Sequence, residues 1–276
     1  MTCAWESLLG ILPKWLRPEV DRLGRKEMQE LRLRLGKPPE LVLSGKGLWL
    51  NRCVEQDDLN ICINTASHYS PWAAQSVRQG YITAPGGHRI GICGEAVMQN
   101  GDLQGIRSSE ALCIRVARDF PGIGEIPSKL DGNILLIGPP GCGKTTLLRD
   151  MARQISKNEA VTVVDERGEL FPPGLFDVGR RLDVLRGCPK KDGIMLALRT
   201  MGPATIAVDE ITAREDCEAL MEAGWCGVRL LATVHAGSLK DLRARALYRP
   251  LWENQLFQHV LILDKEKNWK RERIIP

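Results

Sequence analysis

The sequence contains no apolar run long enough to cross a membrane, and it has few aromatic residues. None of its 276 residues lies in an uninterrupted apolar stretch approaching the length of about 18 that a spanning helix requires. Met1 to Gly10 includes Glu6 and lacks a basic segment followed by an apolar one, so we expect no signal peptide. Because aromatics make up only 5% of the chain, aliphatic side chains must build most of the core. We expect a cytoplasmic protein, and any connection to a membrane would have to run through a partner.

Cysteine spacing and net charge exclude further classes of protein. The nine cysteines include no CxxC pair, which argues against a zinc site or a disulfide framework and favours a reducing compartment. The formal net charge is +4 and the pI about 8.6, and basic residues form only short clusters such as Arg32 and Arg34. Nucleic-acid-binding domains usually carry a larger or more clustered excess. We therefore expect nucleic acid not to be the main partner.

The residues before position 120 predict a small α+β domain. Arg17 to Glu30 has the spacing of a short amphipathic helix, and Leu31 to Leu35 alternates apolar and basic residues as a strand does. Residues 57–79 are predicted to be mostly helical, and short β-like runs separated by glycines fill 80–116. We assign this domain to residues 1–119 and a linker, rich in proline and glycine, to 120–131.

Residues 132–276 alternate between β runs and helical patterns. Asn133–Ile137, Thr205–Val208 and Val228–Thr233 are among five apolar runs with the length of buried strands. Alternation of this kind predicts a mostly parallel sheet covered by helices. The expected architecture is α/β, a P-loop domain preceded by the smaller α+β domain.

The segment Gly138–Thr145 is a complete P-loop, GxxxxGK[ST], and it lies between a predicted strand and a predicted helix. Its glycines let backbone amides turn toward phosphate oxygens, and the new helix adds the positive end of its dipole. Lys144 is predicted to reach the β- and γ-phosphates of ATP, and Thr145 to bind Mg²⁺. The predicted nucleotide contacts are Gly138, Pro139, Pro140, Gly141, Cys142, Gly143, Lys144, Thr145 and Thr146.

Three further polar segments follow predicted strands. Asp209 and Glu210 end one strand, and we predict that Asp209 holds the Mg²⁺ shell while Glu210 polarises the attacking water. Asp165 to Glu169 follows a second strand, and His235 a third. Because ligands of parallel α/β sheets bind at the carboxyl ends of strands, we expect these groups to meet the P-loop at one edge.

These four segments together resemble the type II/type IV secretion ATPase superfamily, whose RecA-like members carry a Walker A loop, an acidic box, a Walker B box and a histidine box in this order. Within it the chain resembles the sporulation members found in endospore-forming bacteria. The resemblance covers nearly the whole chain. It also rests on Glu30–Arg34, Gly80–Gly91, Val164–Arg167 and Ala197–Met201.

The resemblance implies an ATPase that forms a homohexamer and binds membrane components of the channel between mother cell and forespore, energising assembly of that channel or transport through it. It further implies that Glu169 orients the attacking water, that His235 senses the γ-phosphate and that Arg199 is catalytic. A hexameric ATPase also generally needs an arginine offered across a subunit interface or from the preceding domain. The candidates are Arg89, Arg107 and Arg115. Arg214 is displaced from the arginine that usually follows the Walker B glutamate, so we assign it no catalytic role.

Two alternatives remain open on the sequence. A RecA-like motor could act on single-stranded nucleic acid, although the few aromatic residues are dispersed instead of interleaved with basic ones. A small-molecule kinase would need an acceptor pocket and usually a lid, and the sequence shows no evident lid. The acidic and histidine boxes would have no role in such a kinase.

Overall fold

The structure is a computed structural model that describes residues 3–43, 45–67, 80–99, 102–172 and 176–273. The chain forms two compact units, one built from Met1–Asp119 and the other from Phe120–Phe171 with Phe176–Pro276. No helix in these described ranges is long and apolar enough to cross a membrane.

The first unit is an antiparallel sheet with helices on one face. Its six strands run in the order β3-β2-β1-β6-β5-β4. Leu31 and Leu33 of β1 are fully buried in a core with side chains of all three helices, whereas Arg32 and Arg34 alternate with them toward the opposite face. The elements are α1 (Trp5–Ile11), α2 (Arg17–Gly24), β1 (Met28–Arg34), β2 (Glu40–Leu43), β3 (Lys46–Trp49), α3 (Gln56–Ser67), β4 (Tyr81–Thr83), β5 (Arg89–Gln99) and β6 (Asp102–Arg115).

Helix α2 is shorter than the sequence pattern predicts. It ends at Gly24, and Met28 already pairs with Leu43 in the sheet, so our prediction of a helix up to Glu30 was wrong. Pairing of β1 with both β2 and β6 outweighs the weak helical pattern there. The helix predicted over 57–79 is present as α3 up to Ser67, and residues 68–79 lie outside the described ranges.

The second unit is a mostly parallel sheet of seven strands in the order β13-β12-β7-β11-β10-β8-β9, in which only β13 is antiparallel. The expected mostly parallel α/β architecture is confirmed. Its elements are β7 (Ile134–Gly138), α4 (Lys144–Ile155), β8 (Val161–Asp165), β9 (Leu182–Arg186), α5 (Lys190–Thr200), β10 (Thr205–Val208), α6 (Arg214–Trp225), β11 (Arg229–His235), α7 (Leu239–Ala244), α8 (Arg249–Glu253), β12 (His259–Leu263) and β13 (Trp269–Arg273).

The segment 120–131, which we predicted to be a linker, is part of the second unit. The amides of Gly122 and Gly124 donate to Oδ2 of Asp150 at 2.9 and 2.7 Å. At the other end of the segment, Arg229 donates to the carbonyl oxygens of Ser128 and Leu130. Side chains of α4 and β11 therefore satisfy backbone groups near both ends of this segment and hold it in the second unit.

Candidate functional site

The order of the strands brings the predicted polar segments to one edge of the second sheet. Strand β11 lies between β7, which leads into the P-loop, and β10, which leads into Asp209 and Glu210. These strands are parallel, so their carboxyl ends lie at the same edge. His235, the last residue of β11, is directly opposite Gly138 in the register. The P-loop, the histidine and the acidic pair consequently meet there.

The P-loop joins β7 to α4 through backbone that glycine adopts easily. Gly143 has a φ of +96° immediately before the helix begins at Lys144. At Gly138 a Cβ would lie 2.6 Å from Sγ of Cys142 and 2.7 Å from the carbonyl oxygen of Leu263, so a side chain does not fit. No side chain caps the amino end of α4. The first amides of α4, including those of Thr145 and Thr146, therefore suit a phosphate group.

The ammonium group of Lys144 is nearly buried and fully hydrogen-bonded. It donates to the carbonyl oxygens of Gly138 and Pro139 at 2.8 and 2.9 Å, and to Nδ1 of His235 at 2.9 Å. Sγ of Cys142 lies at 3.8 Å as a fourth, weaker acceptor, so the three N–H bonds of the ammonium group are all engaged. Burial lowers the pKa of Lys144, an effect that Asp209 and Cys142 oppose.

His235 connects Lys144 to the acidic pair. Because its Nδ1 accepts from Lys144, the ring proton is on Nε2, which lies 3.4 Å from Oε1 of Glu210. The other carboxylate oxygen of Glu210 accepts from Nη1 of Arg167 at 3.1 Å. A continuous polar chain thus runs from Lys144 through His235 and Glu210 to Arg167.

Asp209 is held between two threonine hydroxyl groups. Thr145 Oγ1 donates to Oδ2 of Asp209 at 2.7 Å, and Thr233 Oγ1 donates to Oδ1 at 2.6 Å. The hydroxyl and carboxylate that we predicted as Mg²⁺ ligands, on the P-loop helix and after β10, are therefore within hydrogen-bonding distance of each other.

The oxygen atoms of Thr145 and Asp209 fit an Mg²⁺ ion that is bound together with a triphosphate. Hydroxyl and carboxylate oxygens are hard ligands, and Mg²⁺ in nucleotide sites is commonly held by one or two carboxylates together with phosphate oxygens and water. No group of three or more His, Cys, Asp or Glu side chains within the described ranges could hold a metal ion by itself. Thr145 and Asp209 would supply only part of the coordination of such an ion, and phosphate oxygens and water would supply the rest.

The acidic box divides into structural and site-facing residues. Asp165 is buried, and its carboxylate accepts from the amides of Glu169, Leu170 and Phe171 at 2.9 to 3.0 Å, so it holds the turn that follows β8. Burial raises the pKa of Asp165. A pocket at the strand ends brings Glu169 together with both residues of the acidic pair. Its lining residues are Val164, Asp165, Glu166, Arg167, Glu169, Lys190, Asp209 and Glu210.

Arg199 does not lie at this edge. Lys190 begins α5 beside the pocket and forms an ion pair with Glu166. Arg199 is exposed in the last turn of the same helix, about 13 Å further along its axis at 1.5 Å per residue. Since α5 returns the chain to the start of β10, this end of the helix faces the opposite edge of the sheet. The catalytic assignment of Arg199 stays a prediction.

The three candidate interface arginines lie on the two longest strands of the first unit. Arg89 and Arg115 are directly opposite each other on β5 and β6. The register places them on the same face as Arg32 of β1, away from the helices. Arg107 lies further along β6 and pairs with Glu95 at 3.9 Å.

The sequence interpretation did not assign two residues that the structure places in the site. Thr233 bonds Asp209, and Arg167 bonds Glu210. A signal for Thr233 was present, because residues two positions apart in a strand face the same side and Thr233 precedes His235 by two. No comparable periodicity marks Arg167, which lies in the irregular turn after β8.

Comparison with known proteins identifies relatives over almost the full chain. The family model described as "Sporulation stage III, protein AA" matches residues 7–275. The stage III sporulation protein AA of Bacillus subtilis (strain 168) is 35% identical over 282 residues, which cover 95% of this chain and 91% of that protein.

Solved structures share the fold at low sequence identity. The ATPase DotB from Yersinia pseudotuberculosis superposes with a TM-score of 0.61 at 14% identity, over 90% of this chain and 74% of that one. The pilus retraction motor PilT with bound ADP gives a TM-score of 0.58 at 17% identity, over 95% of this chain and 78% of that one. The expected resemblance to secretion ATPases is confirmed at the level of the fold.

Proposed function

The chain belongs to the sporulation stage III protein AA family, and from that premise we propose that it is a motor that hydrolyses ATP with Mg²⁺. The observation that carries this proposal is the meeting of four chain segments at one sheet edge. There Thr145 contacts Asp209, and Lys144 contacts His235 beside Glu210. The P-loop alone could hold a nucleotide, whereas hydrolysis also needs a group that orients water near the γ-phosphate, a role that the carboxylate of Glu210 can fill.

In this mechanism each residue has a separate task. Lys144 and the amides of the loop would bind phosphate oxygens, and Thr145 and Asp209 would hold a metal ion that neutralises phosphate charge. Glu210 or Glu169 orients the attacking water. His235, in contact with both Lys144 and Glu210, responds to the presence of the γ-phosphate.

We propose further that the working form is a homohexamer and that it acts in sporulation, in the cytoplasm of the mother cell. Its partners would be membrane components of the channel to the forespore, whose assembly or transport it would energise. The family and the sporulation protein of Bacillus subtilis support the process, and the shared fold with DotB and PilT supports a motor. Arg89 and Arg115 lie directly opposite each other on one face of the first unit. We propose that these arginines act on the nucleotide of another subunit.

Size measurement combined with an ATPase assay tests this proposal. We expect light scattering to report a ring-sized assembly with a non-hydrolysable ATP analogue, and phosphate release with ATP and Mg²⁺. A monomer at all concentrations, with and without nucleotide, would contradict the hexamer. Salt-sensitive sub-micromolar binding of labelled single-stranded DNA or RNA would instead favour the alternative of a nucleic-acid motor.

A further inference from the structure

Glu210 has an unusual backbone conformation for its residue type. Its φ is +54°, and the only other non-glycine residues with positive φ in the described part of the chain are Gln255 and Lys267. Residues other than glycine rarely adopt this left-handed region, and at functional sites they stay there only when the surroundings hold them. Neighbouring groups must therefore hold Glu210 in this conformation.

Thr233 of the neighbouring strand holds it through both main chain and side chain. The amide of Glu210 donates to Oγ1 of Thr233 at 2.8 Å, and the next amide, that of Ile211, donates to the carbonyl oxygen of Thr233 at 2.9 Å. Thr233 is 1% exposed, so water does not compete for these bonds. Two consecutive backbone amides of the turn after β10 are therefore fastened to one buried residue of β11.

The same hydroxyl group also orients Asp209. A peptide N–H can only donate, so Oγ1 of Thr233 accepts from Glu210 and must direct its own proton elsewhere. That proton goes to Oδ1 of Asp209 at 2.6 Å. Oδ2, the other carboxylate oxygen, is left on the side of Thr145. One hydroxyl thus orients the carboxylate of Asp209, so that its other oxygen faces Thr145 and the candidate metal position. The same hydroxyl holds the backbone from which the Glu210 side chain projects.

We propose that Thr233 is a positioning residue that sets the geometry of both carboxylates of the acidic pair. This inference rests on the proposed ATPase function, because it assigns Asp209 to the metal and Glu210 to hydrolysis. Thr233 itself would contact neither nucleotide nor metal. Its loss should lower turnover and weaken the contribution of Mg²⁺ to nucleotide binding, while binding of the phosphates by Lys144 persists.

The test compares Thr233→Val, which keeps the shape and removes the hydroxyl, with Thr233→Ser, which keeps the hydroxyl. The matched control is Thr205→Val. Thr205 is buried at the start of β10, and its hydroxyl donates to Glu159 at 2.6 Å, the same type of bond at the opposite edge of the sheet. Three quantities are measured on the full chain: kcat and KM for ATP, the Mg²⁺ concentration that gives half-maximal binding of a fluorescent ATP analogue, and the melting temperature.

We expect Thr233→Val to lower kcat by about 100-fold, as a displacement of about 1 Å can do, with KM changed less than about threefold. It should also raise the half-maximal Mg²⁺ concentration, while Thr233→Ser stays within about threefold of the wild type in each quantity. The proposal is overturned if Thr233→Val loses no more kcat than Thr205→Val at similar melting temperatures, or if the serine variant fails to recover. A wild-type protein without turnover would contradict the ATPase proposal, and the Mg²⁺ titration would still report on Thr233.

Discussion

The ammonium nitrogen of Lys144 lies 2.9 Å from Nδ1 of His235. This contact joins the first residue of α4 to the last residue of β11, and the far side of the imidazole ring lies 3.4 Å from a carboxylate oxygen of Glu210. A phosphate that binds the ammonium group must replace at least one of its present acceptors. The contact therefore couples phosphate binding by Lys144 to the environment of His235 and Glu210.

Lys144→Ala should abolish hydrolysis and weaken triphosphate binding, because the phosphate charge loses its partner. We expect turnover to fall by roughly 100-fold or more, the size of effect seen when one donor to a transition state is removed. Phosphate release and binding of a fluorescent ATP analogue measure the two effects. Lys129→Ala is the control, since Lys129 is exposed and pairs with Glu125 on the surface. Unchanged turnover in Lys144→Ala would refute the P-loop assignment.

Glu210→Gln should retain nucleotide binding and lose hydrolysis, because the amide keeps the shape of the side chain and removes its charge. Glu169→Gln, changed in the same pocket, tests the competing assignment of the water-orienting group. Single-turnover phosphate release separates the two variants. Glu218→Gln is a matched control, since Glu218 is paired with Arg214 on the surface of α6. If Glu210→Gln turns over normally and Glu169→Gln does not, the role belongs to the acidic box.

Arg89→Ala and Arg115→Ala test the arginine offered between subunits. If either side chain acts on the nucleotide of another copy, its removal should lower kcat by about 10³-fold or more while nucleotide binding persists. Arg22→Ala, which removes an exposed arginine paired with Glu19 on α2, should have no effect.

Mixed subunits show whether the arginine acts in another copy. An equal mixture of inactive Arg89→Ala and Lys144→Ala subunits should regain part of the activity, because some interfaces then combine an intact arginine with an intact P-loop. No recovery with either arginine variant in assembled mixtures would place the function elsewhere.

Asp165 should make stability depend on pH in an acidic range. Burial raises its pKa above the ordinary value of 3.8. At pH values between 3.8 and the raised pKa of the folded state, Asp165 is protonated in the folded protein and ionised in the unfolded chain. The free energy of unfolding should therefore fall as pH rises through this range, by at most about 1.4 kcal/mol per pH unit.

Urea unfolding of the wild type and of Asp165→Asn at a series of pH values measures this contribution. The asparagine variant should be less stable overall, because three backbone amides lose a carboxylate acceptor, and its slope in this range should be shallower than that of the wild type. Asp183→Asn, on the exposed side of the adjacent strand β9, is the control for the same substitution at an exposed position. Equal slopes in the wild type and Asp165→Asn would contradict the raised pKa.

Most strands of the second sheet were predictable because they are short apolar runs. Thr205–Val208 was predicted with the observed bounds. The helical spacing after the P-loop extends over Lys144 to Ser156, one residue beyond the observed end of α4. Strand β9 was not predicted because it is only partly buried and its alternation of apolar and polar residues is weak. Strand β13 was not predicted because it is polar. In the first unit, the pattern at Arg17–Glu30 favoured a helix where strand pairing began at Met28. Local periodicity carries no information about such pairing with distant segments.

The sequence by itself determined the P-loop, the polar residues after each strand and the expectation that they share an edge. All of these follow from local spacing and from the rule for parallel sheets. Only the tertiary structure decided that β11 lies between β7 and β10. That order brings Thr233 between Asp209 and the backbone of Glu210, and His235 between Lys144 and Glu210. Whether a hydrogen bond forms depends on differences of a few tenths of an ångström in the distance between residues that are far apart in the chain. No periodicity in the sequence records such differences.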